Sequence, residues 1–499
     1  MKKKFLWNTT ASLLSQLATL VYGFVLPRLI LEAFGSEING LTQSIKQFLS
    51  IISFLELGVG QVIRSALYRP LAEKNSGGIS AILVSGGKFF RRIAAILAIY
   101  VAALMVGYPW LVDTQQDWLF TAALIGAMSI GSFAQYYFGI VDGLLLVADQ
   151  RGYVQYSANI LTALLNTFVG IWMIRGGCSI QAVKIAASLI FLLKPLVCRL
   201  YIRRHYCIDR KITYESEPIA QKWNGVAQHV SAVVLEGTDN IVLTLFSTLS
   251  NVSVYSVYYL VIGGIMQLYT SATAGIQSAV GALWAKQNRD ALNRLFSGIE
   301  MGLHFAVVFL FSCTGVLIVP FVQVYTNGLT DVDYIQPLFA GLLVLAYGIR
   351  CLRTPYNILI LAGGHYKQTQ ACHVTAAVLN LGTSVVAVWQ WGLVGVALGT
   401  LVAMLYQTLW MAVYTSRNLL RWPLRKVIKQ LTVDALTAAL TVLATGWIRL
   451  DSVSYLGWFW MAVRVAVIAM AVTALMAAAF YRRELVQFLQ WAFRKQNGK

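Results

Sequence analysis

About fourteen apolar stretches, most about 20 residues or longer, follow one another along the 499 residues and are joined mainly by short loops. An α-helix needs about 20 residues to cross the hydrocarbon core of a bilayer. Only helices and closed barrels can cross it, because every backbone N–H and C=O must find a partner within the protein. The stretches are too long and too continuously apolar for barrel strands. The sequence therefore predicts an all-α polytopic membrane protein.

Basic residues sort the loops into two sets. Thirty of the 39 Lys and Arg lie in one set, near 1–4, 67–92, 148–152, 194–222, 285–295, 363–370, 416–430 and 481–499. The other set has none, near 33–39, 113–118, 248–252, 326–336 and 389–393. An excess of Lys and Arg marks cytoplasmic loops. We therefore expect a multi-pass protein of the cytoplasmic membrane with both termini in the cytoplasm, and the net charge of +19 needs no nucleic-acid partner.

The sequence lacks the motifs of ATP and metal sites. Gly86-Gly87-Lys88 is followed by Phe89, so no GxxxxGK[ST] loop is present. The six cysteines form no CxxC pair, and neither a disulfide framework nor a zinc site is expected. The apolar run after MKKK has no small-residue cleavage site, which predicts a first transmembrane helix instead of a signal peptide. We expect no cofactor and no metal, and as the energy source either an ion gradient, of H⁺ or Na⁺, or the substrate's own gradient.

The chain divides into two similar halves. A shift of 213 positions aligns IRSALYRPLAEKN (63–75) with IQSAVGALWAKQN (276–288), with five identities, at the same point of each half. Six crossings per half make a parallel repeat about an axis along the membrane normal, and transporters of this kind place substrate between the halves. With two more C-terminal helices, about 14 transmembrane helices are predicted. The predicted segments are an N-terminal lobe of helices 1–6 (1–205), a cytoplasmic linker (206–222), a C-terminal lobe of helices 7–12 (223–418), and helices 13–14 with a basic tail (419–499).

A polar stripe follows one face of the second predicted helix. At 100° per residue, eight side chains from Gln43 to Tyr68 fall within about 60° of one direction, Lys46 and Arg64 among them, with Glu56 at the edge. A charge in hydrocarbon costs about 2.5–3.5 kcal/mol on insertion scales, so such residues face a wet cavity or a partner. Lys46 and Arg64 could instead reach opposite membrane surfaces while Glu56 pairs locally, but the neutral polar residues between them favour the cavity.

Two arginines three residues apart, Arg350 and Arg353, lie deep in the tenth predicted helix. Counted from Pro337 at 1.5 Å per residue, Arg350 lies about 20 Å along the axis, which is too deep to reach a membrane surface easily. The forked donors of arginine suit a phosphate or a carboxylate. A structural pair with a neighbouring carboxylate is the alternative, and Pro355 is expected to kink the helix.

Acidic and histidine side chains share a face of the seventh predicted helix. His229, Glu236 and Asp239 lie within about 80° of one another. This face is a candidate relay for protons or cations, or it supplies counter-charge to the arginines, and both can hold. On helix one, Arg28 is a further candidate for substrate binding, although its spacing to Glu32 slightly favours an interfacial ion pair.

Four stretches carry a family resemblance: ELGVGQVIRSALYRPLAEKN (56–75), LLLVADQRGYVQYSANILTALLNT (144–167), TDNIVLTLFSTLSNVSVYSVY (238–258) and ILILAGGHYKQTQACHVTAAVLN (358–380). In order and spacing they resemble the Wzx-type polysaccharide repeat-unit flippases of the multidrug/oligosaccharidyl-lipid/polysaccharide (MOP) exporter superfamily. By position, Glu56 and Arg64 fall in the family's helix-two motif and Asp239 in its helix-seven motif. The ADQRGY loop (148–153) matches a structural hairpin, and no strict motif covers Arg350 and Arg353.

The resemblance implies a two-lobe bundle with a basic cavity that opens to each side in turn. It implies, as cargo, an undecaprenyl-pyrophosphate-linked oligosaccharide that crosses to the outer leaflet for surface polysaccharide. The cations that would hold the pyrophosphate are Lys46, Arg64, Arg350 and Arg353. The groups that would bind the driving cation are Glu56, His229, Glu236 and Asp239. Membrane lipids, a polysaccharide polymerase and glycosyltransferases are the expected partners.

Two other functions stay open. A drug or cation antiporter of the same fold would prefer an acidic cavity, which the two mid-membrane arginines disfavour. A membrane-embedded polymerase or glycosyltransferase usually has a long external loop or a soluble catalytic domain, whereas the longest outward loop here, 326–336, has about a dozen residues. We therefore expect a transporter and not an enzyme.

Overall fold

The computed structural model describes residues 2–56, 59–213, 226–273, 276–285 and 289–482. Some side chains within these ranges are not described, and those of His229 and Glu236 are among them. Every regular element in the described ranges is a helix, which confirms the predicted all-α class.

Eighteen α-helices make up the described chain, several of them being halves of one broken membrane crossing. They are α1 (Lys2–Ser50), α2 (Val59–Ala72), α3 (Ser76–Leu111), α4 (Trp118–Ala134), α5 (Ile140–Ala148), α6 (Gly152–Arg175), α7 (Ile180–Phe191), α8 (Leu193–His205), α9 (Val226–Phe246), α10 (Leu249–Thr273), α11 (Ile276–Ala285), α12 (Arg289–Tyr325), α13 (Pro337–Leu352), α14 (Thr354–Ala362), α15 (Tyr366–Trp391), α16 (Leu393–Tyr414), α17 (Leu424–Thr445) and α18 (Tyr455–Phe480). A 3₁₀ segment covers Ile51–Glu56, and π-helical segments cover Gln135–Gly139 and Thr415–Leu420.

Gly35 turns one helical run into two crossings. Twelve described runs are long and apolar enough to span a membrane, and the first of them, Trp7–Ser53, has 47 residues. At 1.5 Å per residue such a run would be about 70 Å long, about twice the hydrocarbon thickness. Gly35 interrupts it with φ 80° and ψ 175°, a conformation open mainly to glycine. With the 21-residue α9 as the remaining span, the predicted fourteen crossings are confirmed.

The internal repeat is confirmed at the level of helix boundaries. Ser76 and Arg289, which begin α3 and α12, are 213 positions apart, and so are Ile180 and Leu393, which begin α7 and α16. The ends of α2 and α11 are separated by the same interval. The two halves therefore place their breaks and turns at equivalent positions, although few side chains are shared.

Contacts divide the chain into two compact units, Met1–Ser253 and Val254–Lys499. Helix α9, which the sequence assigned to the second lobe, belongs to unit 1. Ser44 joins three helices there, because its Oγ accepts hydrogen bonds from the hydroxyls of Tyr108 at 2.6 Å and Thr244 at 2.8 Å. The lobe boundaries read from the sequence stay a prediction.

The ADQRGY hairpin (148–153) is hydrogen-bonded to the beginning of α1 and to the segment that follows α8. The Asn8 amide donates to the carbonyl of Gln150 at 2.8 Å, and the backbone N–H of Tyr153 donates to Asn8 at 2.7 Å. Beyond α8, the Tyr206 hydroxyl donates to the Asp149 carboxylate at 2.5 Å. Burial, and after it the Asp149 carboxylate, raise the pKa of Tyr206 above its ordinary value, so this hydroxyl stays a donor at neutral pH.

In unit 2, α15 and α16 form a hairpin whose backbones touch through glycines. A Cβ at Gly395 would overlap the backbone of Ala387, and one at Gly399 would overlap the side chain and backbone of Ser384. Small residues four apart allow such close approach between membrane helices. Gly382 of α15, by contrast, is exposed and has open space beside it.

We predict that Gly399→Val lowers the thermal midpoint of the purified protein in detergent, because the added side chain must push α16 away from α15. The expected cost is about 1–3 kcal/mol, as for other overpacked sites. Gly382→Val is the matched control, since it makes the same substitution on the same hairpin without a clash. Equal midpoints for the two variants, measured by fluorescence-detected size-exclusion chromatography after heating, would contradict the packing described.

Candidate functional site

Helix two is not one continuous α-helix in the described residues, so the regular helix on which the predicted stripe was drawn is interrupted. Helix α1 ends at Ser50, a 3₁₀ segment covers Ile51–Glu56, and α2 begins at Val59. A 3₁₀ helix turns about 120° per residue and not 100°, so six residues displace the following side chains by about 120°. Residues 57–58, between this segment and α2, lie outside the described residues, and a shared face for Lys46 and Arg64 stays a prediction.

Lys46 lies near Lys184 within unit 1. Lys46 lies eleven residues beyond Gly35, about 16 Å along the helix axis, and its side chain is exposed. The ammonium group of Lys184 on α7 is close enough to be repelled by that of Lys46. Neither lysine has an ion-pair partner among the described residues. The sequence alone gives no reason to select Lys184, because it lies only four residues from the start of its helix.

The other two candidate cations of unit 1 differ in their surroundings. Arg64 is half-buried on α2 and has no ion-pair partner among the residues that the structure describes. Arg28 donates through Nη2 to Glu32 Oε1 at 2.8 Å, one helical turn away. Arg28 thus forms the ion pair that its spacing favoured.

The acidic candidates of unit 1 lie at helix contacts. Glu56 accepts a hydrogen bond of 2.6 Å from the Tyr136 hydroxyl, which projects from the π-helical segment of the fourth crossing. Asp239 is buried on α9, two residues from Gly237, where the side-chain amide of Gln47 fills the space of a Cβ. The predicted acid–histidine face can be placed only at Asp239, because the side chains of His229 and Glu236 lie outside the described residues.

Arg350 and Arg353 lie at a break in the tenth crossing of unit 2. Helix α13 ends at Leu352 and α14 begins at Thr354, so the break falls on Arg353, two residues before Pro355. Both arginines are half-buried, and the Arg350 guanidinium carbon lies 5.9 Å from the centre of the Tyr347 ring. The predicted kink at this proline is therefore confirmed.

A tyrosine repairs the backbone at this break. Pro355 has no N–H to donate to the carbonyl of Cys351 four residues earlier. The Tyr269 hydroxyl from α10 donates to that carbonyl instead, at 3.2 Å. In the first half, Tyr136 and Glu56 join the corresponding crossings, the fourth and the second. Each half thus fastens a broken helix to its neighbour through a tyrosine hydroxyl.

A buried acid–histidine network in unit 2 escaped the sequence reasoning. His304 of α12 is fully buried, and its Nδ1 lies 2.6 Å from Asp434 Oδ2 on α17. The Gln430 amide donates to the other oxygen of Asp434 at 2.9 Å, and the Tyr356 hydroxyl donates to Glu300 at 2.8 Å. These polar side chains come from three different crossings, on α12, α14 and α17.

The spacing of polar residues within α12 and within α17 pointed to this network, but the contact between the two helices could not be predicted from the sequence. Glu300 and His304 are four apart on an apolar helix, as are Gln430 and Asp434, and such spacing sets two polar groups on one face. That His304 meets Asp434, 130 positions away, follows only from the packing of α12 on α17. Asp434 is buried, although its place near a predicted helix end is typical of an interfacial residue.

No group of three His, Cys, Asp or Glu side chains suited to a metal ion occurs among the residues that the structure describes.

Comparisons with known sequences give no match: no model of a protein family fits the chain, and neither does any curated protein.

Comparisons with solved structures give matches that cover 80–96% of this chain. The lipid II flippase MurJ in an inward closed conformation aligns with a TM-score of 0.73 at 13% identity, over 96% of this chain and 99% of that one. An inward-facing multidrug resistance MATE family transporter of the MOP superfamily aligns at 0.61 and 16% identity, over 80% and 95%. A MOP superfamily transporter from Pyrococcus furiosus aligns at 0.59 and 16% identity, over 83% and 96%.

These solved structures differ in the share of this chain that their alignments cover. Of 499 residues, 80% and 83% are about 400 and 414, roughly the length of the chain up to the end of α16 at Tyr414. The MurJ alignment is long enough to include α17 and α18 as well. At these identities the likeness concerns the fold alone: the chain is a multi-pass membrane protein with the fold of MOP superfamily transporters.

Proposed function

We propose that the chain is a flippase of the Wzx type. It moves an undecaprenyl-pyrophosphate-linked oligosaccharide from the inner to the outer leaflet of the cytoplasmic membrane by alternating access. The oligosaccharide is a repeat unit for capsule, exopolysaccharide or O-antigen, made by glycosyltransferases and used by a polymerase. The fold supports transport, and the charges of the candidate site support this cargo.

One observation carries the proposal: Lys46 and Lys184 of unit 1 are near enough to repel each other, and neither has an acidic partner among the described residues. Like charges close to each other raise the free energy of the empty protein. An anion between the two ammonium groups would remove that repulsion. A pyrophosphate has the charge and the several acceptor oxygens for this, so the lysines would stabilise the cargo at the depth where it is least soluble.

The half-buried arginines of unit 2 support the same cargo. Arg350 and Arg353 stand at a broken helix, and broken helices line the hydrated paths of transporters. Their guanidinium groups offer forked donors that match phosphate oxygens. Arg64 on α2 adds a further cation.

These charges argue against a multidrug antiporter as the alternative. A cationic drug would be repelled by Lys46 and Lys184, whereas an anion is attracted. Pocket charge separates proteins of this fold, since the Pyrococcus furiosus transporter is described as having a binding pocket of reverse polarity that suggests a different function. A polymerase is less well supported, because both the matched flippase and the matched MATE proteins transport.

We infer that coupling to an ion gradient uses the acidic groups. Glu56 and Asp239 are the candidates of unit 1, and the network of Glu300, His304 and Asp434 adds one in unit 2. Two carboxyl groups and one imidazole packed together cannot all be charged without partners, so the network is suited to exchange a proton.

Replacing both lysines by alanine tests the cargo. We predict that Lys46→Ala with Lys184→Ala abolishes flipping of a lipid-linked pyrophosphate in proteoliposomes, measured by the accessibility of the sugar to an external enzyme. The repulsion that the pyrophosphate relieves is then gone, and so is its binding energy. Lys46→Arg with Lys184→Arg should keep most of the activity, because the charges remain.

Arg92→Ala with Arg204→Ala is the matched control, since it removes two exposed cations that make no contact in the described chain. Normal flipping by the alanine double variant of the lysines would overturn the proposed cargo site. Loss of resistance to cationic drugs in a deletion strain, with polysaccharide unchanged, would favour the antiporter.

The arginines are tested in cells. We predict that Arg350→Ala with Arg353→Ala, expressed at the normal level, abolishes export of surface polysaccharide, because two phosphate donors are lost. Arg417→Ala, which removes an exposed cation of α16's π-helical extension, should leave export unchanged. Unchanged export in the double variant would show that the two arginines have only a structural role.

The buried network is tested by its proton dependence. We predict that Asp434→Asn flips cargo at a rate that no longer rises with an imposed pH gradient, while binding of cargo at a fixed pH stays normal. Asp451→Asn, at an exposed carboxylate paired with Arg464, is the control. If the Asp434 variant follows the gradient as the natural protein does, the network takes no part in coupling.

A further inference from the structure

Three arginines gather around one carboxylate in unit 1, and a fourth lies near one of the three. Asp142 is 5% exposed, and Nη2 of Arg210 lies 3.4 Å from its Oδ1. Arg199 and Arg203 of α8 also interact electrostatically with Asp142, and Arg91 of α3 interacts with Arg199. Three positive charges thus share one negative charge with Arg91 close by, which leaves an excess of positive charge for an anion.

Two of these arginines rest on aromatic rings with donors to spare. The guanidinium carbon of Arg199 lies 5.9 Å from the centre of the Phe138 ring, and that of Arg91 lies 5.8 Å from the Tyr137 ring. Nε of Arg199 is buried and has no hydrogen-bond partner. The π-helical segment Gln135–Gly139 turns both rings outward, with 43% and 45% of their surfaces exposed. Cation–π contacts hold a guanidinium in place without using its N–H donors.

An apolar groove of about 400 Å³ begins at Phe138 and runs away from the arginines. Its walls include Ala98 and Val101 of α3, Phe133 of α4, and Leu192 between α7 and α8. The groove lies where two crossings are broken, the fourth by the π-helical segment and the sixth before Pro195. Neighbouring side chains of α3 such as Ile99, which is 72% exposed, present apolar surface that a bilayer would cover.

We propose that the groove and the arginines form a binding site for an anionic phospholipid of the surrounding bilayer. The phosphate lies on Arg91 and Arg199, and one acyl chain lies in the groove. Charge complementarity selects an anionic over a zwitterionic headgroup, since the arginines outnumber Asp142, the carboxylate that interacts with them in the described part of the chain. The lipid would also hold the chain beyond α8 in place, because Arg210 belongs to that segment and Asp209 donates its N–H to Ser80 at 3.0 Å.

Native mass spectrometry of the full chain, released from nanodiscs of phosphatidylglycerol and phosphatidylcholine in equal parts, tests the headgroup contact. We expect one phosphatidylglycerol retained on the natural protein. Arg91→Ala with Arg199→Ala should weaken that retention about 30-fold, at roughly one basic residue's contribution for each arginine. Arg92→Ala with Arg204→Ala removes two exposed charges from the same two helices, and retention should stay within about twofold of the natural protein.

A second pair of variants tests the groove without touching a charge. Ala98 lines the groove, so Ala98→Trp should fill it and displace the lipid, whereas Ala103→Trp, at an exposed position about 140° away around α3, should not. The proposal does not depend on the cargo, because it concerns a lipid of the bilayer. It is overturned if the Arg91/Arg199 variant retains phosphatidylglycerol like the natural protein, if both tryptophan variants behave alike, or if only an added polyprenyl phosphate is retained.

Discussion

Positive charge held among apolar helices is the constraint on which the proposed function rests. Lys46 and Lys184 approach each other without a carboxylate among the described residues. A folded membrane protein tolerates such an arrangement when water or a ligand reaches the charges, because burial without a counter-charge costs several kcal/mol. The exposed side chain of Lys46 meets this condition. The empty site is therefore less stable than the occupied one, and the difference is binding energy for an anion.

Broken helices put polar groups where they are needed. The second, fourth, sixth and tenth crossings are interrupted by a 3₁₀ segment, a π-helical segment, the junction at Leu192 and the junction at Arg353. At the interruption in the fourth crossing, the Tyr136 hydroxyl donates to Glu56 of the second. At the interruption in the tenth, the Cys351 carbonyl accepts from the Tyr269 hydroxyl of α10. Such repairs let irregular backbone exist within the membrane. The same interruptions bring Arg353 and Glu56 to positions that a straight helix would not give them.

The sequence predicts the fold better than the site. Apolar length gives fourteen crossings, and Pro355 gives the kink, because both are local properties of the chain. The regular helix expected for the polar face of helix two is interrupted at Ile51–Glu56, since this segment is a 3₁₀ helix and nothing in IISFLE indicates it. Lys184 and the His304–Asp434 contact could not be predicted, because each depends on a partner more than 100 positions away. The spacing of residues within a helix predicts which side chains share a face. The residues that contact that face are determined by the packing of helices that are distant in sequence.

A measurement of the sign of the electrostatic potential beside Lys46 is the most direct test of this account. Ser50 is exposed one turn after Lys46, so Ser50→Cys in a chain whose six cysteines are replaced by serine reports on that place. Its reaction rates with an anionic and a cationic methanethiosulfonate reagent, each divided by the rate for a free thiol, measure the local potential. The account predicts a faster normalised reaction with the anionic reagent, and protection by a lipid-linked pyrophosphate. A faster reaction with the cationic reagent, or no reaction with either, would contradict it.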